Sequence, residues 1–184
     1  PGLFDADTDK IAHIPYTQNS FVTIGMCFTR GIVGVTRRIF KVVAVDCDNT
    51  LWKGICAEDQ KVEVTKSHQY LQQFLLKLKE KGYLLVICSK NREDDVWKVF
   101  EENPNMRLAK DDFVAWRINW NRKSENLLSM ADELNLGIDS FIFIDDSQAE
   151  CLEVQNAQPS VLTLLLPEQE EEIQSFLHNC WAFD

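Results

Sequence analysis

Residues 42–45, Val-Val-Ala-Val, run straight into Asp46-Cys47-Asp48, with Thr50 close behind. A short, continuous apolar run bounded by polar residues reads as a strand buried on both faces, as in a parallel sheet. In open parallel sheets ligands bind just beyond the carboxyl ends of the strands. Asp46 and Asp48 therefore stand at the mouth of a pocket, one residue apart. Carboxylates are hard oxygen ligands suited to Mg²⁺, and one of them could attack phosphorus to give an aspartyl-phosphate. For a lone Asp-x-Asp a polar turn would be the better reading, so the assignment depends on what the other strand ends carry.

Further along, Tyr83–Cys88, Phe113–Ile118, Phe141–Ile144 and Val161–Leu166 read as strands. Helical spacing appears between them. Tyr70, Leu71, Phe74, Leu75 and Leu78 form one stripe, begun by Thr65 or Ser67 and ended by Gly82 as a C′ glycine. Glu93–Glu101 is a short helix stopped by Pro104. Lys123–Leu136 is a longer one with Gly137 after it, and Ser147 caps a helix to Ala157. Glu168–His178 is a last helix, acidic at its start. Alternation of this kind predicts an α/β fold, a Rossmann-like parallel sheet flanked by helices. Residues 51–64, with Gly54 and the pair Glu58-Asp59, are too few for a cap domain and predict a short hairpin-like flap.

Residues 1–39 are expected to form a lead-in and a helix packed on the core, and residues 40–184 the catalytic core of a single domain. Pro1 to Tyr16 lacks periodicity. From Gln18 to Val35 an apolar stripe of Phe21, Ile24, Phe28, Ile32 and Val35 predicts a helix, capped by Thr17 or Asn19. The chain begins at Pro rather than Met, as an excised domain would.

The formal net charge of −10 argues against a nucleic-acid partner, which needs a Lys/Arg surplus. A small phosphorylated substrate stays compatible, because a bound Mg²⁺ reverses the local field. No apolar run is long enough for a membrane span. The six cysteines (27, 47, 56, 88, 151 and 180) show no zinc-type spacing and suit a reducing cytoplasmic setting.

Three expected strand ends thus carry reactive residues: Asp46/Asp48/Thr50, Ser89/Lys90/Asn91 and Asp145/Asp146. Lys123 opens the helix before the last of them. In this order they resemble the four motifs of the haloacid dehalogenase (HAD) phosphotransferase superfamily. The string Asp-Cys-Asp-Asn-Thr-Leu-Trp-Lys-Gly-Ile-Cys-Ala-Glu-Asp at 46–59 is similar to one branch, the FkbH-like glyceryl transferase/phosphatase domain of polyketide synthase loading modules. So are Cys88-Ser-Lys-Asn91, residues 112–120, Lys123-Ser-Glu-Asn126, residues 134–146 and Trp181-Ala-Phe-Asp184. The chain departs from that branch at Lys53, Ala57 and Gln60, where Gly is more usual.

The resemblance implies Asp46 as nucleophile, Asp48 as general acid and base, and Ser89 and Lys123 on the phosphoryl oxygens. It implies Mg²⁺ on Asp46, the Asp48 carbonyl and the acids Asp145 and Asp146, with Asp146 the direct ligand and Asp145 orienting. The implied reaction takes D-1,3-bisphosphoglycerate, loads glyceryl on a cysteine, removes phosphate and passes glyceryl to the phosphopantetheine thiol of an acyl carrier protein. Cys47 is the expected acyl carrier and Cys88 the alternative. Arg117 or Arg122 is expected on the second phosphate, with packing between Arg117, Trp116 and Trp120 as the competing role. Two other functions fit the same residues: a simple Mg²⁺-dependent phosphomonoesterase, which needs no thiol, and a non-catalytic domain of a larger synthase.

Overall fold

The computed structural model describes residues 4–36, 39–58 and 61–183. Asp59, Gln60 and Asp184, singled out above, lie outside the described residues, as does the side chain of Val35. The chain divides into two compact units, Pro1–Arg38 with Trp181–Asp184, and Ile39–Cys180.

The first unit holds α1 (Ala6–Ala12) and α2 (Gln18–Thr36). The lead-in was expected to be irregular, but it contains α1. Asp5 Oδ1 accepts from the backbone of Asp7 and Thr8, and His13 closes the helix in the left-handed region. A cap and two acids in the first turn are enough for so short a helix without an apolar stripe. Thr17 caps α2 through Ser20 N–H, and the stripe residues Phe21, Ile24, Phe28 and Ile32 are exposed.

The second unit carries, in chain order, β1 (Val42–Val45), α3 (Lys66–Glu80), β2 (Leu84–Ser89), α4 (Glu93–Glu102), β3 (Phe113–Ile118), α5 (Lys123–Leu134), β4 (Phe141–Asp145), α6 (Gln148–Ala157), β5 (Leu162–Leu165) and α7 (Ile173–Asn179). The strands form one parallel sheet in the order β3-β2-β1-β4-β5. β1 and β4 are buried at every position, so an unbroken apolar run suits them better than alternation. Alternate residues of the inner strands, including Val42, Ala44, Val86 and Cys88, pack with Leu127, Met130 and Ala131 of α5. α3 packs against α7, and α5 against α6.

Helix ends follow local chemistry. Gly82 (φ 96°) is the C′ residue of α3: its N–H donates to Lys79 C=O, and Tyr83 N–H to Leu78 C=O. The stop of α5 comes two residues earlier than expected. Asn135, not Gly137, takes the left-handed conformation, and Leu136 N–H donates to Ala131 C=O. Asn tolerates that region because its short side chain bonds locally. The expected last helix divides into one 3₁₀ turn, Glu170–Glu172, and α7.

The flap is a hairpin, as expected. Lys53 and Glu63 exchange both backbone hydrogen bonds, at 2.8 and 3.0 Å. Gln72 of α3 anchors its start: fully buried, it donates to Leu51 C=O and accepts from Arg107 N–H. Lys53 Nζ and Thr65 Oγ1 both meet Glu170, and the buried His68 shares a 2.8 Å hydrogen bond with Thr65.

Burial pushes the His68 imidazole below its ordinary 6.5, opposed in part by Glu170. A depressed pKa means the unfolded chain binds the proton more readily. The stability this group confers is complete above pH 6.5 and is lost as pH falls through the folded-state value. The difference in Tm between wild type and His68→Gln should therefore be larger at pH 7.5 than at pH 5, measured by thermal denaturation. A difference independent of pH would mean that the folded and unfolded chains bind this proton equally, and would overturn the depressed pKa.

Candidate active site

The parallel ladders carry the reactive residues to one edge. Asp46 N–H donates to Ile144 C=O, one residue past the β1–β4 register, and Asn119 N–H donates to Ser89 C=O past the β2–β3 register. Beyond β1 the chain turns sharply. Thr50 and Leu51 N–H both donate to Cys47 C=O, and Asn49 sits at φ 54° with its side chain accepting from Gly54 N–H. Asn is among the few residues that take this conformation at low cost. The turn brings Trp52 back beside Asp48.

Lys123, at the first turn of α5, is buried. Its ammonium lies 2.9 Å from Asp46 Oδ1 and donates to Asp145 Oδ2. Burial alone would lower its pKa, but the carboxylates of Asp46 and Asp145 more than offset this and hold it well above the usual lysine range. Carboxylate oxygens of Asp46, Asp145 and Asp146 lie within 4.8 Å of one another. Burial, then the charge of Asp46, pushes both Asp145 and Asp146 above the usual carboxylate range. Three acids against one ammonium leave an excess of negative charge, which suits a hard divalent cation. Asp145 has both oxygens engaged, one by Lys123 and one by Ser147 N–H at 2.8 Å. Among the described residues Asp146 is held by a single 3.4 Å bond from Thr50, so its carboxylate is the less committed of the two.

Asp48 is fixed by three donors. Trp52 Nε1 (2.8 Å) and Cys56 N–H (3.1 Å) bond to Oδ1, and Asn91 Nδ2 (3.1 Å) to Oδ2. Asn91 also donates to Ser89 Oγ and accepts from Cys56 Sγ at 3.5 Å.

The structure thus brings together Asp46, Asp48, Thr50, Ser89, Asn91, Lys123, Asp145 and Asp146. Lys90 is directed instead to α6, paired with Glu150 at 2.8 Å. Arg117 is not part of the site: its guanidinium bonds Ser129 and Glu133 of α5 and the Trp116 carbonyl. Trp116 donates to Glu93 and packs on Trp97, while Trp120 is exposed. Cys88 faces the core cluster, 3.7 Å from Lys123 C=O. Cys47 is fully buried. Burial, with the charges of Asp46 and Asp48 against a partial offset from the Ser89 hydroxyl, holds its thiol well above the ordinary value.

Two participants escaped the sequence reading, Trp52 and Cys56. Their contacts depend on the path of the flap, which no periodicity encodes. The one available hint was Asn49, a residue prone to the left-handed turn that closes it.

Among solved structures, the chain is similar to the N-terminal part of the protein BF1531 from Bacteroides fragilis, which contains a phosphatase domain and is complexed with Mg. Identity is 29%, over 96% of this chain and 49% of that one, with a TM-score of 0.84. It is also similar in fold to the magnesium complex of the HAD-family enzyme BT-2542 from Bacteroides thetaiotaomicron (17% identity, 78% of this chain, 100% of that one, TM-score 0.55). A third match is a Porphyromonas gingivalis protein described as a predicted HAD-like family hydrolase (13% identity, 77% of this chain, 98% of that one, TM-score 0.56). No family profile and no curated protein matches the chain. The five-stranded parallel sheet and its flanking helices are the fold it shares with the BF1531 fragment and with BT-2542. The chain spans about half the length of the BF1531 fragment.

Replacing Lys123 by Met should leave Asp46 and Asp145 buried without their cation. Breaking one partner out of such a cluster costs about 3–5 kcal/mol, seen as a lower Tm in metal-free buffer. Added Mg²⁺ should recover part of the loss, giving a larger upward shift in Tm for the variant than for wild type. Equal shifts would mean that the cation and the ammonium do not share one field.

Proposed function

We propose that the chain is a Mg²⁺-dependent phosphohydrolase of HAD type, with Asp46 as the nucleophile and Asp48 as the general acid and base. The observation that carries this reading is the meeting of Asp46, Asp48, Lys123, Asp145 and Asp146 at one edge of the sheet. The Mg complex of the BF1531 phosphatase fragment supports the choice of metal. Asp46, the Asp48 carbonyl and Asp146 would hold the ion, which supplies Lewis-acid polarisation of phosphoryl oxygens.

Lys123 holds Asp46 through Oδ1, leaving the other oxygen to attack phosphorus. As the Asp46–phosphorus bond forms, the bond to the leaving oxygen breaks, and Asp48 gives that oxygen a proton. Asp48 then takes a proton from the water that cleaves the aspartyl-phosphate, releasing phosphate and regenerating Asp46. Ser89 and Lys123 bind the phosphoryl oxygens on which charge collects. Phosphate release from phenyl phosphate in Mg²⁺ tests the reading. Chelation should abolish it, and Asp46→Asn should lower kcat at least about a thousandfold, the scale of losing a nucleophile. Activity that survives both treatments would overturn the assignment.

We further propose, on the resemblance described above, that the natural substrate is D-1,3-bisphosphoglycerate and that glyceryl passes through an enzyme thioester to the phosphopantetheine thiol of an acyl carrier protein in a larger synthase. In the loading step a thiol sulfur bonds the acyl carbon, the carbon–oxygen bond to phosphate breaks, and the thiol proton passes to a carboxylate or to solvent. Cys47 and Cys88 are sealed from solvent, whereas Cys56 is half-buried and bonded to Asn91 beside Asp48. Cys56 is therefore the thiol this geometry favours. Intact-mass analysis after incubation with 1,3-bisphosphoglycerate should show a glyceryl adduct in wild type and Cys47→Ser but not in Cys56→Ser. An adduct retained in Cys56→Ser would remove that assignment. Phosphate release with no adduct on any variant would leave the phosphohydrolase alone.

A further inference from the structure

The ammonium of Lys123 reaches two carboxylates at once, lying 2.9 Å from Asp46 Oδ1 and donating to Asp145 Oδ2. Hydrogen bonds tolerate little error in where the donor sits, so the first turn of α5 has to be held. Its own cap does not hold it. Arg122 stands at the N-cap, where Ser, Thr, Asp or Asn is usual, and its side chain makes no capping bond. An arginine has no acceptor to offer the amides of the first turn. The acceptor comes from another helix. Glu153 of α6 takes Ser124 N–H on Oε2 at 3.1 Å and Ser124 Oγ on Oε1 at 2.5 Å. Ser124 is buried and next in sequence to Lys123.

These contacts close a ring. Asp145 accepts from Lys123 on one oxygen and from Ser147 N–H on the other. Ser147 caps α6 by accepting from Glu150 N–H. Glu153 lies further along that helix, and from it the path returns through Ser124 to Lys123. The helix that follows the acid thus grips the helix that bears the ammonium. A second tie faces the other way. Asn126 Nδ2 donates to Asn119 Oδ1 at 2.9 Å, and Asn119 N–H donates to Ser89 C=O at the end of β2. Strand β1 runs between β2 and β4, so the start of α5 is tied on both sides of the strand that leads into Asp46. The two ties differ in kind. Asn126 bonds to a loop, whereas Glu153 makes a two-point contact from a helix, which fixes direction as well as distance.

We infer that Glu153 is the positioning residue for Lys123: by clasping Ser124 at two points it sets the start of α5 so that the ammonium meets Asp46 and Asp145 together. The ion pairs of Lys123 among the described residues are with Asp46 and Asp145, so Glu153 acts through Ser124 rather than as a third counter-charge. The inference rests on the phosphohydrolase reading for its kinetic consequence only; the placement of the ammonium can be read without turnover.

The test reads that group directly. Buried against two carboxylates, the Lys123 ammonium should exchange its protons slowly and give a resolved signal in a proton–nitrogen correlation NMR spectrum, assigned by its loss in Lys123→Met. Glu153→Ala should shift or broaden the signal. Glu153→Gln should keep it near the wild-type position, because a glutamine can accept from Ser124 N–H through its oxygen and donate to Ser124 Oγ through its nitrogen. Val154→Ala, which loosens the same helix at a core residue, should leave it in place. The inference is overturned by a signal unmoved in Glu153→Ala, by one moved as far in Glu153→Gln or Val154→Ala, or by no protected ammonium in wild type. Turnover gives a separate reading. With phenyl phosphate and Mg²⁺, Glu153→Ala should lower kcat at least about tenfold with KM little changed, as when a catalytic group is misplaced by less than about 1 Å. Added to Lys123→Met, the same change should cost nothing further, since it acts through the group already removed. Full activity in Glu153→Ala, or a further loss in the double variant, would overturn the inference. Should wild type release no phosphate, the phosphohydrolase reading fails by itself, and the ammonium signal still decides whether Glu153 positions Lys123.

Discussion

Lys123 meets Asp46 and Asp145 in a space closed to water, and the arrangement of the sheet edge depends on that contact. Gathering the buried Asp46 and Asp145 with the half-buried Asp146 is unfavourable, because desolvation and mutual repulsion both oppose ionisation. One ammonium offsets part of this. Its position is determined by α5 beginning five residues after the end of β3 and packing on the face of the sheet from which Asp46 projects. The remaining negative charge makes the site receptive to a cation even before any substrate arrives. Fold and chemistry are therefore linked in a specific way. The parallel register of β1 against β4 puts the acids side by side, and the helix that crosses over to β4 delivers the counter-charge.

Asp48 belongs to a different subsystem. Its neighbours are hydrogen-bond donors rather than charges: an indole, a backbone amide and a side-chain amide. Two of the three come from the segment after β1, so the path of the flap and the orientation of Asp48 are fixed together. Asn91 extends the network to Ser89 on β2. A phosphoryl group placed over Asp46 would thus have charged groups on the β4 side and neutral donors on the flap side. This division matches an attack step that needs electrostatic stabilisation and a departure step that needs a proton.

How far the residues revealed this depends on the range of the interaction. Strands β1, β2 and β4 and their terminal acids were legible because burial on both faces writes itself as an apolar run. The stripe from Leu71 to Leu78 was legible for the corresponding helical reason. Where a local competitor won, the reading slipped. The Asp5 cap made a helix of an aperiodic stretch, and Asn135 stopped α5 before the glycine could. Arg117 shows the larger gap. Its forked guanidinium suited a phosphate on chemical grounds, yet Glu133, sixteen residues on, takes it at 2.6 Å. Only the packing of α5 beside β3 decides which anion an arginine finds. Cys56 was obscured in the same way, since its value lies in a contact across the flap to Asn91.

The flap also bears on how selectivity could be built at this edge of the sheet. A mobile cap excludes water by closing over the substrate and must be reordered on each cycle. Here the flap is held at its root by Gln72, across its strands by Lys53 and Glu63, and along its side by Glu170. These bonds tie the wall beside Asp48 to the rest of the unit through the chain's own residues, so little ordering entropy would have to be spent on it when substrate binds. The arrangement loses the deep enclosure a cap provides and gains a preformed surface whose side chains can discriminate.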